Sequence, residues 1–158
     1  NRKSQFNNVV LPSMMRDEKI DICISIDASG SIGQDDATDF LSEVKGIMDQ
    51  FGSYRIRIWS FDTAVYAYDE FTDDDGRSIE EYKLVGGGGT DFMCNWHYME
   101  ENDIVPDQLI MFTDGEPFNK WGIEDYCDTL FLIKNKYSKP VAPFGQTIYY
   151  EEAQKKAA

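Results

Sequence analysis

The apolar positions of the chain follow two alternating periods. Isoleucine fills every second position from 20 to 26, between mostly small residues, which predicts a central strand covered on both faces. The next apolar positions recur at helical spacing and predict one helix face, made of Phe40, Leu41, Val44, Ile47, Met48 and Phe51. Ser31 or Gly33 suits the N-cap of that helix, and Gly52 is placed to end it.

The same two periods continue along the rest of the chain. Further strands are predicted at 55–61, 64–71, 108–113, 129–133 and 147–150, and short helices at 78–83 and 91–101. The brief Asp62-Thr63 connection favours a hairpin between the second and third strands. Alternating strands and helices predict an α/β fold with a mostly parallel sheet. We expect one domain over 19–150, preceded by a lead-in at 1–18 and followed by a frayed helical tail at 151–158.

Composition narrows the range of functions. The formal net charge of −14 repels phosphate backbones, so nucleic acid is not an expected partner. The sequence has no run of about 18 apolar residues and no secretory signal, so a membrane is not expected either. Three widely spaced cysteines without a CxxC pair argue against a disulfide framework and a zinc knuckle. We therefore expect a reducing, cytoplasmic location, and the oligomeric state stays open.

Five oxygen-bearing side chains in three loops form the candidate site: Asp27, Ser29, Ser31, Thr90 and Asp114. Asp27 and Asp114 each end an apolar strand, so both are expected at the same edge of a parallel sheet. The glycines at 86–89 allow a close backbone approach that presents Thr90. Carboxylates and hydroxyls are the hard donors that Mg²⁺ or Mn²⁺ prefers. The plainer alternative is that these groups only cap helices and turns.

The pattern Asp27-x-Ser29-x-Ser31, then Thr90, then Asp114 resembles the metal-ion-dependent adhesion site of von Willebrand factor A (VWA) domains at all five positions. More narrowly, the segments at 86–92, 112–115 and 143–145 are similar to the VWA-like domain of bacterial and phage proteins described as metallopeptidases. The resemblance implies a three-layer, Rossmann-like sandwich with a mostly parallel six-stranded sheet and one antiparallel strand, at 64–71. The segment after Asp114 is short for that family, so a helix or strand is expected to be trimmed.

The resemblance also implies a function. Ser29, Ser31 and, in one state, Thr90 would bind Mg²⁺ directly, with Mn²⁺ or Ca²⁺ as alternative ions, while Asp27 and Asp114 would act through water or hydrogen bonds. The open position on the ion would accept a carboxylate from a partner protein, as in a non-catalytic interaction module.

The same resemblance predicts a peptidase-like region ahead of the domain, which the module would regulate or target. The 158 residues themselves contain no HExxH motif, and His97 is the one histidine, so zinc proteolysis within them is not expected.

The alternative function is an Mg²⁺-dependent hydrolase, such as a phosphatase with Asp27 as nucleophile. Phosphatases of the haloacid dehalogenase type need a second Asp two residues further on, where this chain has Ser29. No lysine lies in the candidate loops to hold a phosphate. The interaction module is therefore the preferred interpretation.

Other polar and aromatic positions have structural interpretations. The acidic run ending at Gly76 is expected to be a solvated turn rather than a calcium loop. Asp62 is expected to cap the hairpin turn, with a role at the metal edge as the alternative. For Glu116, contact with a bound partner or tuning of local charge is the alternative to having no role at the site. Asp91 suits the N-cap of the helix that follows. Of the tryptophans, two are expected in the core and Trp121 either there or exposed near Asp114 as a binding anchor.

Overall fold

The computed structural model describes residues 19–30 and 32–150. Within them, six strands form one sheet: β1 Ile20–Asp27, β2 Tyr54–Phe61, β3 Val65–Thr72, β4 Gln108–Thr113, β5 Asp128–Ile133 and β6 Gln146–Tyr149. The helical elements are α1 Gln34–Met48, α2 Met93–Glu101 and a 3₁₀ turn at Ile79–Glu81. Ser31, the lead-in at 1–18 and the predicted tail helix at 151–158 lie outside the described residues.

The strands lie in the order β3-β2-β1-β4-β5-β6. Every neighbouring pair is parallel except β2 and β3, which form the predicted antiparallel hairpin. The chain therefore builds the sheet outward from β1 in one direction and then restarts at β4 in the other. The order reverses between β1 and β4, and in open α/β sheets ligands bind beyond the carboxyl ends of the strands at such a point.

Each face of the sheet carries its own apolar core, which makes the sheet the middle of three layers. Ile22 and Ile24 of β1 belong to the core under α1, together with Phe40 and Leu41 of that helix. On the other face, Cys23 belongs to a second core, shared with the following side chains: Trp59, Phe92, Trp96, Met99, Leu109 and Phe131. Both faces of β1 are covered, as its sequence predicts.

The start of α1 matches one of the two predicted caps. Gly33 is the N-cap residue, and its N–H donates to Asp36 Oδ2 at 3.1 Å. Asp35 and Asp36 lie in the first turn, where their negative charges interact favourably with the positive end of the helix dipole. The predicted end at Gly52 is wrong, because Asp49 is the C-cap residue and pairs with Lys45 at 2.7 Å.

A buried amide attaches α2 to the sheet. Asn95 Oδ1 accepts hydrogen bonds from the Ser25 hydroxyl at 2.5 Å and from the Trp59 indole N–H at 2.7 Å. Its Nδ2 donates to the Phe92 carbonyl at 2.9 Å. Because every polar atom of the amide has a partner, the network fixes the start of α2 against β1 and β2.

The connections confirm two smaller predictions. Residues 114–127, which join β4 to β5, contain no α-helix, in keeping with the trimmed segment expected there. The acidic turn after β3 uses its carboxylates locally: Asp73 accepts from the Tyr54 N–H, and Asp75 from the N–H groups of Thr72 and Arg77, each at 2.9 Å. None of the described helices is long and apolar enough to span a bilayer.

Candidate metal centre

Asp27 lies at the carboxyl end of β1, directly beside the end of β4. The parallel register pairs Ile26 with Phe112, so the next residue of β4 faces Asp27. That residue is Thr113, whose hydroxyl donates to Asp27 Oδ2 at 2.7 Å. The Asp27 side chain is thereby held at the point where the strand order reverses.

The loop after β1 folds back onto the same carboxylate. The Ser29 N–H donates to Asp27 Oδ1 at 3.0 Å, and the Ser29 hydroxyl donates to the same oxygen. Asp27 is only 1% exposed. Burial raises the pKa of Asp27, the hydrogen bonds from Ser29 and Thr113 lower it, and the nearby charge of Asp114 raises it again, with a net upward shift. The charged form of this carboxylate is therefore incompletely compensated by the protein groups around it.

Asp114 follows β4 and lies half-buried at the same edge. Its Oδ1 accepts from the Glu116 N–H at 3.0 Å, and its carbonyl accepts from Asn135 Nδ2 at 3.0 Å. Gly115 makes this turn possible, because its φ is +76° and a Cβ there would lie 2.6 Å from Pro140 Cγ. The charge of Asp114 raises the pKa of Asp27, which agrees with the prediction that the two carboxylates lie at the same edge.

Asp62 holds the glycine loop that leads to Thr90. Its Oδ2 accepts from the N–H groups of Gly87 at 3.2 Å and Gly88 at 3.0 Å. Its Oδ1 accepts from the N–H groups of Thr63 and Ala64 in the hairpin turn. Burial alone would raise the pKa of Asp62, but these four backbone donors outweigh it and the pKa lies below its usual value. Asp62 therefore caps the hairpin turn, as predicted, and the same carboxylate also holds the glycine loop in place.

Backbone contacts tie Thr90 to the rest of the edge. A Cβ on Gly86 would lie 3.0 Å from the Ala28 Cβ, so the glycine loop passes directly over the loop that carries Ser29. The Phe118 N–H donates to the Thr90 carbonyl at 3.0 Å, which joins Thr90 to the loop that carries Asp114. The predicted N-cap at Asp91 is off by one residue, because Phe92 is the N-cap residue of α2. Asp91 still contributes to the start of the helix, since its Oδ1 accepts from the Met93 N–H at 3.0 Å.

The donor set suits a small divalent cation. Asp27, Ser29, Thr90 and Asp114 come from loops gathered at one edge, and they offer hydroxyl and carboxylate oxygens. Ser31 lies outside the described residues. Among the residues that the structure describes, no three His, Cys, Asp or Glu side chains converge as a metal cluster. A site here would therefore depend on hydroxyls as well as its two carboxylates.

Thiol chemistry is disfavoured at this edge. All three cysteines are free, and Cys94 lies near enough to Asp27 and Asp62 for their charges to affect it. Burial raises the pKa of Cys94 to about 12, with those carboxylates adding to the effect. The thiol stays protonated at neutral pH and is a poor nucleophile and metal ligand.

Trp121 takes one of the two positions that the sequence left open for it. It is partly buried against the second core, where its ring packs against Phe92 at 5.5 Å and Phe131 at 5.2 Å between centroids. Phe118 is instead 89% exposed, and Tyr137 in the β5–β6 loop is 95% exposed. Thr113 was missed, although the register of two adjacent parallel strands would have pointed to it.

Comparison with known proteins agrees with the topology. A family model described as "VWA-like domain (DUF2201)" matches residues 22–151. The chain belongs to this VWA-like family. None of the curated proteins matches it.

The fold of this VWA-like domain also occurs in a solved structure, that of the ArnB paralog VWA2 from Sulfolobus acidocaldarius. The TM-score is 0.54 at 17% identity, over 74% of this chain and 35% of the archaeal chain. The chain thus spans about a third of the length of that protein. At this identity the likeness supports a shared α/β fold with a mostly parallel sheet.

Proposed function

We propose that this VWA-like domain is a non-catalytic interaction module that binds Mg²⁺ and captures an acidic side chain of a partner protein. The proposed site consists of Asp27, Ser29, Ser31, Thr90 and Asp114. The hydroxyls of Ser29, Ser31 and Thr90 would bind the ion directly, and the two carboxylates would act through water or hydrogen bonds. The observation that carries the proposal is the geometry at the end of β1, where the buried Asp27 carboxylate accepts hydrogen bonds from the hydroxyls of Ser29 and Thr113. The charge of Asp114 also raises the pKa of Asp27, which supports placing the two carboxylates at one edge. Mn²⁺ and Ca²⁺ are the alternative ions.

The hydrogen bonds around Asp27 prepare the hydroxyl for a cation. Because the Ser29 hydroxyl donates its proton to Asp27, its oxygen lone pairs are left for another partner. Two carboxylates at one edge also need a positive charge nearby when both are ionised. When bound, Mg²⁺ would supply a Lewis-acidic position that accepts a carboxylate oxygen. The protein's part is to hold the loops in place, through Thr113 for Asp27 and Asp62 for the glycine loop.

The geometry argues against the phosphatase alternative. A nucleophilic aspartate needs a carboxylate oxygen that can reach the substrate, whereas Asp27 is 1% exposed and both of its oxygens accept hydrogen bonds. We expect no turnover of p-nitrophenyl phosphate in the presence of Mg²⁺. Turnover that disappears in Asp27→Asn would favour the enzyme instead.

The test of the proposal is titration calorimetry with Mg²⁺ and Mn²⁺. We expect one binding event per chain that the double variant Ser29→Ala/Ser31→Ala removes, because both hydroxyl ligands are lost. The matched control is Ser53→Ala/Ser78→Ala, which removes two hydroxyls away from this edge and should leave ion binding unchanged. A parent chain that binds neither ion, or a double variant that binds as well as the parent, contradicts the proposal.

Within the same proposal, the module acts in the cytoplasm and regulates or targets a peptidase-like region. The support is the resemblance of its motifs to VWA-like domains described with metallopeptidases, together with its free thiols. Mg²⁺-dependent co-purification with such a region supplied separately would test this. Association that persists in chelator would count against it.

A further inference from the structure

A cleft of about 340 Å³ opens beside the candidate metal centre. It runs from Gly30 and Asp114 to the loop after β5, where Lys136 and Tyr137 line it, with Glu116, Lys134 and Asn135 as its other walls. Its volume falls in the range of ligand pockets and is much larger than a single carboxylate requires. A segment that places one side chain at the candidate centre would therefore continue into this cleft.

The wall beyond Asp114 differs in charge from the rest of the molecule. Residues 129–150 contain three lysines and no acidic residue, in a chain whose formal net charge is −14. Lys134 is committed to Asp36, with Nζ 2.9 Å from Oδ2. Lys136 is exposed and makes no ion pair among the described residues. It is therefore the cation of the cleft that remains available to a partner.

Two acidic residues, Asp114 and Glu116, also line the cleft. Asp114 belongs to the candidate centre, and Glu116 Oε2 accepts from Asn135 Nδ2 at 3.2 Å. Tyr137 is 95% exposed next to Lys136 and offers an apolar ring that nothing in the described chain covers. An exposed aromatic ring next to an exposed cation can supply both apolar contact area and charge to one bound segment.

We propose that this cleft receives an acidic segment of the partner protein, with one carboxylate at the candidate metal centre and a second carboxylate on Lys136, while Tyr137 covers the stem of that second side chain. This inference rests on the proposed function, because the first carboxylate is taken by the ion. It adds the chemistry of the partner: two acidic residues close together in one exposed segment.

The probe is a synthetic octaglutamate peptide, added to the Mg²⁺-loaded, ¹⁵N-labelled full chain at about 0.15 M salt, where long-range charge effects are screened. Because the chain as a whole is strongly acidic, general electrostatics oppose this peptide, and binding would report a local site. We expect amide shifts at Gly30, at Glu116 and over 135–138. Octaglutamine should cause none.

The deciding variant is Lys136→Glu, with Lys19→Glu as the matched control. Lys19 is exposed and precedes β1, at the end of that strand opposite to Asp27. We expect Lys136→Glu to weaken octaglutamate binding about tenfold, in line with charge reversal beside a bound carboxylate, and Lys19→Glu to leave it unchanged. Lys136→Gln should give a smaller loss of the same sign.

The two levels of the proposal fail differently. One outcome is Mg²⁺-dependent octaglutamate binding that Lys136→Glu does not weaken and that shifts no amide over 135–138. This result would contradict the proposed role of the cleft but would agree with a metal-dependent interaction module. Absence of Mg²⁺ binding in calorimetry overturns the module and this inference with it. If Lys136→Glu and Lys19→Glu weaken octaglutamate binding equally, the proposed role of the cleft is also contradicted, because the binding then depends on overall charge rather than on a local site.

Discussion

Replacing Asp62 with alanine is expected to lower the free energy of unfolding by about 3 kcal/mol, because one carboxylate serves four backbone donors. The hairpin donors are Thr63 and Ala64, and the loop donors are Gly87 and Gly88. Hydrogen bonds to a charged acceptor are each worth about 1.5–3 kcal/mol, but the glycines are exposed and water replaces part of that. Urea denaturation measures the loss.

Hydrogen exchange locates the same effect. The amides of Gly87 and Gly88 should lose protection in Asp62→Ala while those of β1 and β4 change only with global stability. The matched control is Asp69→Ala, which removes an exposed carboxylate that pairs with Arg77 at 2.7 Å and should cost under about 1 kcal/mol. Equal losses in the two variants would mean that Asp62 does not brace the loop.

The conservative variant Asp62→Asn connects this brace to the proposed metal centre. The amide keeps one acceptor but turns an NH₂ group toward backbone donors, so the loop that presents Thr90 should loosen. We expect Mg²⁺ affinity to fall about tenfold in calorimetry, corresponding to about 1.4 kcal/mol. An unchanged affinity in a folded Asp62→Asn variant would show that the loop needs no brace to present Thr90.

The strands of the sheet could be predicted from the sequence because each is indicated by a pattern within its own few residues. Alternation in β1, the continuous apolar run of β4 and the short turn at Asp62 each identify an element without knowledge of its neighbours. The end of α1 could not be predicted as well, since the helix ends with Asp49 as its C-cap residue, three residues before the glycine signal at Gly52. Helix ends depend on small local differences.

The site could be predicted only in part, for a related reason. The motif residues are visible in the sequence, but the groups that hold them are distant along the chain. Asp62 reaches Gly87 and Gly88, and Thr113 reaches Asp27, through contacts that exist only once the sheet is formed. Trp121 is likewise partly buried only because its ring packs against Phe92 and against Phe131 of β5, whereas Phe118, three residues earlier in the same loop, is exposed.

Gly122→Ala is expected to have the largest effect on stability, about 4 kcal/mol, from a clash and a backbone strain together. A Cβ on Gly122 would lie 2.2, 2.4 and 2.5 Å from three atoms of the Trp96 ring, and the φ of Gly122 is +150°. Trp96 is 0% exposed and belongs to the second core, so a shift of its ring would disturb other buried side chains. Urea denaturation, followed by far-UV circular dichroism, measures the loss.

Gly87→Ala separates strain from clash. Its φ is +146°, nearly that of Gly122, but nothing lies within 4 Å of the Cβ that it would carry. We expect this control to cost about 1–3 kcal/mol, which is the strain alone. Losses of equal size at the two positions would contradict the clash and indicate that the loop around Gly122 shifts to accommodate the methyl group.

A double-mutant cycle with Trp96→Phe gives the sharpest form of the test. The clashing atoms belong to the outer part of the indole, which phenylalanine lacks. The Trp96 indole N–H has no hydrogen-bond partner in the described structure, so the change to phenylalanine breaks no hydrogen bond there. We therefore expect Gly122→Ala to cost less in the Trp96→Phe background, with a coupling of about 1–3 kcal/mol. Additive losses would place the origin of the Gly122→Ala effect outside the contact with Trp96.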